Sequence, residues 1–112
     1  MGLVAEQDAF LMDVAKLIVK AHEFGFQVTA GEMWRTIEQQ KLYVEQKRSR
    51  TMESKHLDRL AIDLNFFKEG KLAGTKSNLQ ALGDWWESLD PKNRWGGNFK
   101  SILDCPHFER NV

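Results

Sequence analysis

Apolar residues recur early in the chain at the three- and four-residue spacing of a helix. Phe10, Val14, Leu17, Ile18 and Ala21 share one side of the stretch from about Asp8 to Phe24, and Gly25 stands where a left-handed C-terminal cap is wanted. Phe26 to Ala30 reads as a short strand, with Gly31-Glu32 as the turn or bulge after it. Thr36-Ile37-Glu38-Gln39 has the form of a capping box and opens a helix through about Gln46. Leu60, Ile62 and Leu64 alternate with Ala61, Asp63 and Asn65, so this strand has one apolar face and Asp63 points away from it. Glu69-Gly70 centres a turn into a short returning strand. Ser77-Asn78-Leu79-Gln80 offers another capping box, Leu79, Leu82, Trp86 and Leu89 continue at helical spacing, and Asp90-Pro91 stops that helix. Trp85 and Trp86 are adjacent and cannot share one helical face, so at least one is expected in the core. The pattern predicts an α+β fold: a small antiparallel sheet with helices packed on it.

At 112 residues the chain suits one compact core and no second, and it has no repeat or linker to divide it, so a single domain over 1–112 is expected. Sixteen basic residues balance sixteen acidic ones. No overall field therefore draws the chain to nucleic acid or to an anionic membrane, and a polymer partner has to be recognised locally. No stretch approaches the ~20 apolar residues that span a bilayer, and the N-terminus lacks the basic region of a signal peptide. Synthesis in the cytoplasm without stable membrane insertion is expected, as a monomer. The single cysteine, Cys105, leaves no intramolecular disulfide to form.

Candidate chemistry gathers in two places. His56 and Asp63 lie seven residues apart where an irregular turn runs into the central strand, and Asp104-Cys105-Pro106-His107-Phe108-Glu109 follows some forty residues on. A catalytic zinc takes three protein ligands, typically His with His or a carboxylate, and keeps a fourth position for water. His56, Asp63 and His107 fill that set. On spacing alone a His–Asp pair is more often a surface ion pair, but two of only three histidines fall in these clusters, each with a carboxylate nearby. His and carboxylate ligands also suit other divalent ions. The third histidine, His22, ends a helix, where the macrodipole favours a cation, and its reading is structural. Pro106 biases Cys105 toward an extended conformation, so the segment is expected to bend and bring Asp104 back toward the metal position, while Glu109 shares the strand face of His107 as an outer partner.

The motif Ser54-x-His56-x6-Asp63, followed by Trp95-Gly96-Gly97 and Asp104-x-x-His107-Phe108-Glu109, resembles the zinc D,D-peptidase and L-alanyl-D-glutamate peptidase family, which includes phage endolysins and D-alanyl-D-alanine carboxypeptidases and dipeptidases. The resemblance spans roughly Gln27 to Glu109 and departs at Arg59, where many relatives carry glycine. It implies a hedgehog/D,D-peptidase-like fold, a Zn2+ cofactor and peptidoglycan as the partner. It also implies Asp104 as catalytic base and Arg35, paired with Gln40, as the arginine that orients a carboxylate or oxyanion. Ser54 is near enough to the proposed metal to offer a hydroxyl to substrate, and Gln40 and Trp95 complete the substrate-binding candidates, Trp95 lining the cleft or packing. The basic loop from Lys47 to Glu53 is either a solvated connection or a cleft wall attracting an acidic stem peptide. A short domain of this kind looks most like an endolysin that cuts the L-alanyl-D-glutamate bond and needs a holin-type membrane lesion to reach the wall. The alternatives are a D-alanyl-D-alanine carboxypeptidase or dipeptidase, and a non-catalytic zinc-binding domain of the same fold.

Overall fold

The structure, a computed structural model, describes residues 2–49 and 51–112; Met1 and Arg50, the latter part of the basic loop read above, lie outside the described residues. Among the described residues three α-helices, α1 (Leu3–Glu23), α2 (Ile37–Glu45) and α3 (Lys76–Leu89), accompany five strands, β1 (Gln27–Ala30), β2 (Ala61–Lys68), β3 (Lys71–Leu72), β4 (Asn93–Trp95) and β5 (His107–Arg110). All strand pairs are antiparallel, in the order β1-β2-β5-β4, with β3 also paired to β2. This is the α+β architecture that the pattern predicts. Among the described residues no helix is long and apolar enough to cross a membrane.

The sheet has two unlike faces because side chains alternate along each strand. Ile62, Leu64 and Phe66 of β2 and Phe108 of β5 turn into a core shared with Phe10, Val14 and Leu17 of α1 and Leu79, Leu82 and Trp86 of α3. Edge-to-face contacts between Trp86 and both Phe10 and Phe108 tie α3 to α1 and to the sheet. Asp63 and His107 alternate with these residues and therefore emerge on the opposite face.

Local signals explain most element boundaries. Gly25 takes φ +89° after α1, and Thr36 Oγ1 accepts from Gln39 N at 3.0 Å to open α2. Glu69 and Gly70 both have positive φ at the tip of the β2–β3 hairpin. Helix α3 starts earlier than expected, since Thr75 rather than Ser77 caps it, accepting from Asn78 N at 3.3 Å. Helix α1 also begins five residues before the apolar pattern does. Its first turn is held by charge: Arg110 Nε donates to Glu6 Oε2 at 2.6 Å and Lys92 Nζ reaches Glu6 Oε1 at 3.0 Å.

Trp95 was a candidate for the cleft wall, and the structure corrects this: it is fully buried. Its indole fills a slot between two glycines. A Cβ on Gly83 would stand 2.2 Å from the ring, and one on Gly97 would stand 2.1 Å from it. Its Nε1 donates to the Cys105 carbonyl at 2.8 Å, so it braces the segment leading to His107 from inside the core.

That slot yields a prediction of sign. Alanine in place of a mid-helix glycine ordinarily stabilises by about 1 kcal/mol. Gly83→Ala should instead destabilise by about 1–3 kcal/mol, because the methyl overpacks against Trp95. Urea unfolding decides between them, and a midpoint equal to or above that of the parent contradicts the packing argument.

Candidate active site

Asp63 and His107 are directly opposed residues of β2 and β5, which puts their side chains side by side on the exposed face. His56 comes from the 3-10 turn Lys55–Asp58, capped by Ser54, whose Oγ accepts from His56 N at 3.2 Å. Arg59 closes that turn in the left-handed conformation, φ +57°, which a glycine adopts at no cost. Arg59 adopts it all the same, with its guanidinium over the Trp34 ring at 4.6 Å. Gly31 fits against β2 because a Cβ there would meet the Asp63 carbonyl at 2.9 Å, and its N–H donates to that carbonyl at 2.7 Å.

The ligating atoms of His56, Asp63 and His107 all lie within 4.8 Å of one another. Asp63 Oδ1 is 3.4 Å from both His56 Nε2 and His107 Nδ1, too long for strong hydrogen bonds, and has no hydrogen-bond partner although it is buried. The far nitrogens of both imidazoles are engaged: His56 Nδ1 is 2.7 Å from the Met33 carbonyl and His107 Nε2 is 2.7 Å from Glu109 Oε1. Donation at those positions leaves His56 Nε2 and His107 Nδ1 as lone-pair nitrogens aimed at Asp63. An orphaned buried carboxylate oxygen facing two such nitrogens is what a divalent cation would complete, so the residues present fit a metal. Cys105, buried nearby, is not in this group.

Without a cation, these groups lean on each other. Burial pushes the Asp63 carboxyl upward, but His107 and His56 outweigh it and hold it well below the usual carboxylate range. Burial pulls His107 down, but the Asp63 and Glu109 carboxylates outweigh that and raise it to about 9.

Asp104 stands beside the group, its Oδ2 3.9 Å from His107 Nδ1 and its side chain about half exposed to the cleft. The desolvation of partial burial lifts its pKa above the ordinary value; His107 opposes that lift and the Asp63 charge adds to it. Its position is set by Gly96. The Gly96 carbonyl accepts from Asp104 N at 3.0 Å, and a Cβ on Gly96 would come within 2.1 Å of the Asp104 carbonyl.

A cleft of about 600 Å³ opens over these residues, with Arg35, Ser54 and Asp104 on its walls. Arg35 pairs through Nε with Glu32, donates from Nη1 to Gln40 Oε1 at 2.6 Å and lies over the Tyr43 ring at 4.7 Å. Ser54 Oγ is 3.5 Å from Arg35 Nη1. Gln40, expected to contact substrate, is corrected: it is fully buried and does not line the cleft. It positions its neighbours, donating to Ser49 Oγ at 2.8 Å and to the Thr51 carbonyl.

Sequence reasoning missed three of these partners. The Met33 carbonyl is a backbone group with no residue-type signature, and Tyr43 and Glu32 join the site only once α2 has folded. The double role of Glu109, holding both His107 and Arg94, was legible only in part, through its shared strand face with His107.

The fold is also that of a known peptidase. The crystal structure of the Serratia marcescens L-Ala D-Glu endopeptidase ChiX superposes with a TM-score of 0.70 at 22% identity, covering 88% of this chain and 78% of that one. A family model described as D-alanyl-D-alanine carboxypeptidase, of the peptidase M15 group, matches residues 47–110, more than half of the chain and a span containing His56, Asp63, Asp104 and His107. The chain belongs to this peptidase family. No curated protein matches it.

A pH dependence follows from His107. Its folded value of about 9 lies above the ordinary 6.5, so in metal-free protein the protonated His107–Asp63 contact stabilises the fold fully below pH 6.5, and that contribution is lost as pH rises through about 9. Denaturation of chelator-treated protein should show stability falling across this window, with Asp63→Asn flattening the profile. A level profile in the unaltered chain contradicts the coupling.

Proposed function

We propose that the protein is a zinc peptidase of peptidoglycan stem peptides, cutting the L-alanyl-D-glutamate bond. The observation that carries this reading is the three-residue group His56, Asp63 and His107, with its unpartnered Asp63 oxygen. Those three side chains would hold the ion, leaving a position open to substrate and water. When bound, zinc supplies a Lewis acid that polarises the scissile carbonyl and makes water acidic near neutral pH.

The chain's own residues do the rest. Asp104 accepts a proton from the attacking water on its carboxylate and passes it to the leaving amine, a task for which a raised pKa is suited. Arg35, its guanidinium plane fixed by Glu32, Gln40 and Tyr43, keeps Nη2 for substrate, where it orients the scissile carbonyl and faces the charge developing on its oxygen. Glu109 holds the His107 ring in one tautomer.

The likeness to an L-Ala D-Glu endopeptidase supports the choice of bond, and the description of the family supports the runner-up, cleavage at D-alanyl-D-alanine ends. In our reading the chain acts as a monomer, is made in the cytoplasm, and reaches the wall after a holin-type lesion, as a phage endolysin does in host lysis.

Digestion of purified sacculi separates the readings. A new N-terminal D-glutamate is the expected product; free D-alanine or its dipeptide points to the runner-up, and no cleavage to a binding domain. Metal analysis should find one zinc per chain, reduced in His56→Ala, Asp63→Ala and His107→Ala and retained in Cys105→Ser. Unchanged zinc in the first three would sink the site.

Asp104→Asn should keep its zinc and lose at least ~100-fold in turnover, the usual scale for a general base, with Glu109→Gln milder. An active Asp104→Asn beside an inactive, zinc-loaded Glu109→Gln would reverse the two roles. Arg35→Lys should bind zinc normally and lose most activity, since lysine keeps the charge without the fork. Turnover equal to that of the parent would exclude an orienting role.

A further inference from the structure

We propose that Arg48 reads a substrate carboxylate in the cleft, and that the group it takes is the free α-carboxylate of a side-chain-linked D-glutamate; the identity of the ligand rests on the function proposed above. Among the described residues four lysine and arginine side chains line the cleft: Arg35, Arg48, Lys55 and Arg94. Three are already engaged by oxygen. Arg35 pairs with Glu32, Arg94 sets both Nε and Nη2 on Glu109 Oε2, and Lys55 Nζ donates to the Val112 carbonyl at 3.1 Å. Among the described residues the Arg48 guanidinium has no hydrogen bond and no carboxylate partner; it lies over the Tyr43 ring at 4.4 Å.

That stacking holds the guanidinium in place while leaving its N–H edges available. A guanidinium packed against an aromatic face keeps its donors in its own plane, where they match the two oxygens of a carboxylate. The platform is fixed as well, because Tyr43 Oη donates to Glu32 Oε2 at 2.8 Å. The backbone around Arg48 is tied at both ends. Arg48 N donates to the Tyr43 carbonyl at 2.8 Å, and the buried Gln40 holds Ser49 and the Thr51 carbonyl beyond it.

The electrostatic setting gives this cation a task. Glu53 and Asp104, carboxylates that are not metal ligands, also line the cleft, and an acidic peptide meets them as like charge. Among the described residues Arg48 is the cleft arginine with its fork unspent. It would favour a glutamate whose α-carboxylate is free over one amidated at that position, which has nearly the same shape and no charge.

The test is binding by calorimetry to the full chain carrying Asp104→Asn, so that no turnover is needed. The probes are an L-alanyl-γ-D-glutamyl peptide with its α-carboxylate free and the same peptide amidated there. The free acid should bind about tenfold more tightly than the amide, the scale of one hydrogen-bonded charge contact. Adding Arg48→Gln should remove that preference by weakening the acid alone, while Lys47→Gln, which removes a neighbouring cation outside the cleft, leaves it intact. Equal affinities before the change, binding of neither peptide, a preference that survives Arg48→Gln, or the same loss from Lys47→Gln would each overturn the proposal. If the expected binding pattern appears but the unaltered chain cuts neither peptide nor sacculi, the carboxylate site stands and the peptidoglycan function fails.

Discussion

The site depends on one unsatisfied carboxylate oxygen. Asp63 Oδ1 is buried 3.4 Å from two imidazole nitrogens and bonded to neither. In the metal-free fold this oxygen has only long charge contacts with the two imidazoles, and a buried acceptor without a hydrogen bond costs about 1–3 kcal/mol. Its surroundings nevertheless maintain it: the Met33 carbonyl and Glu109 each hold the far side of one histidine, so both rings can only turn their other nitrogen inward. Strain kept in place by several independent contacts is expected where binding relieves it.

Register converts this local chemistry into a property of the fold. Asp63 opposes His107 only because Ile62 opposes Phe108 on the other face, and a slip of one residue would send both apolar side chains to solvent. The core therefore enforces the site. Trp95 acts from the same interior: slotted between Gly83 and Gly97, it donates to the Cys105 carbonyl and braces the turn that carries Asp104. On the outer side, the buried Gln40 links Arg35 to Ser49 and Thr51, so α2 sets both the orienting arginine and these residues of the cleft wall.

Much of this was legible in the sequence, for identifiable reasons. Alternation around Leu60, Ile62 and Leu64 marked the central strand and the outward direction of Asp63, and the concentration of two of the three histidines beside carboxylates pointed to the group that the structure brings together. Contacts made by polar groups across long separations were not legible. The Glu6–Arg110 pair holds a first turn of α1 whose Leu3 and Val4 stay exposed, and Thr75 displaces Ser77 as a cap although both are good capping residues. Trp95 and Gln40 failed for another reason. A tryptophan before two glycines suits an open loop or a tight slot equally well, and only Gly83, on a distant helix, decides for burial. A glutamine near an arginine likewise does not show whether it faces substrate or holds the arginine from behind.

The central claim is that His56, Asp63 and His107 form one metal site on the open face of the sheet. Anomalous diffraction collected at the zinc edge, from crystals of the full chain grown with zinc, tests it most directly. The account predicts one strong peak bounded by His56 Nε2, a carboxylate oxygen of Asp63 and His107 Nδ1. Zinc bound elsewhere, at Cys105 or His22, with no peak among these three atoms would contradict it.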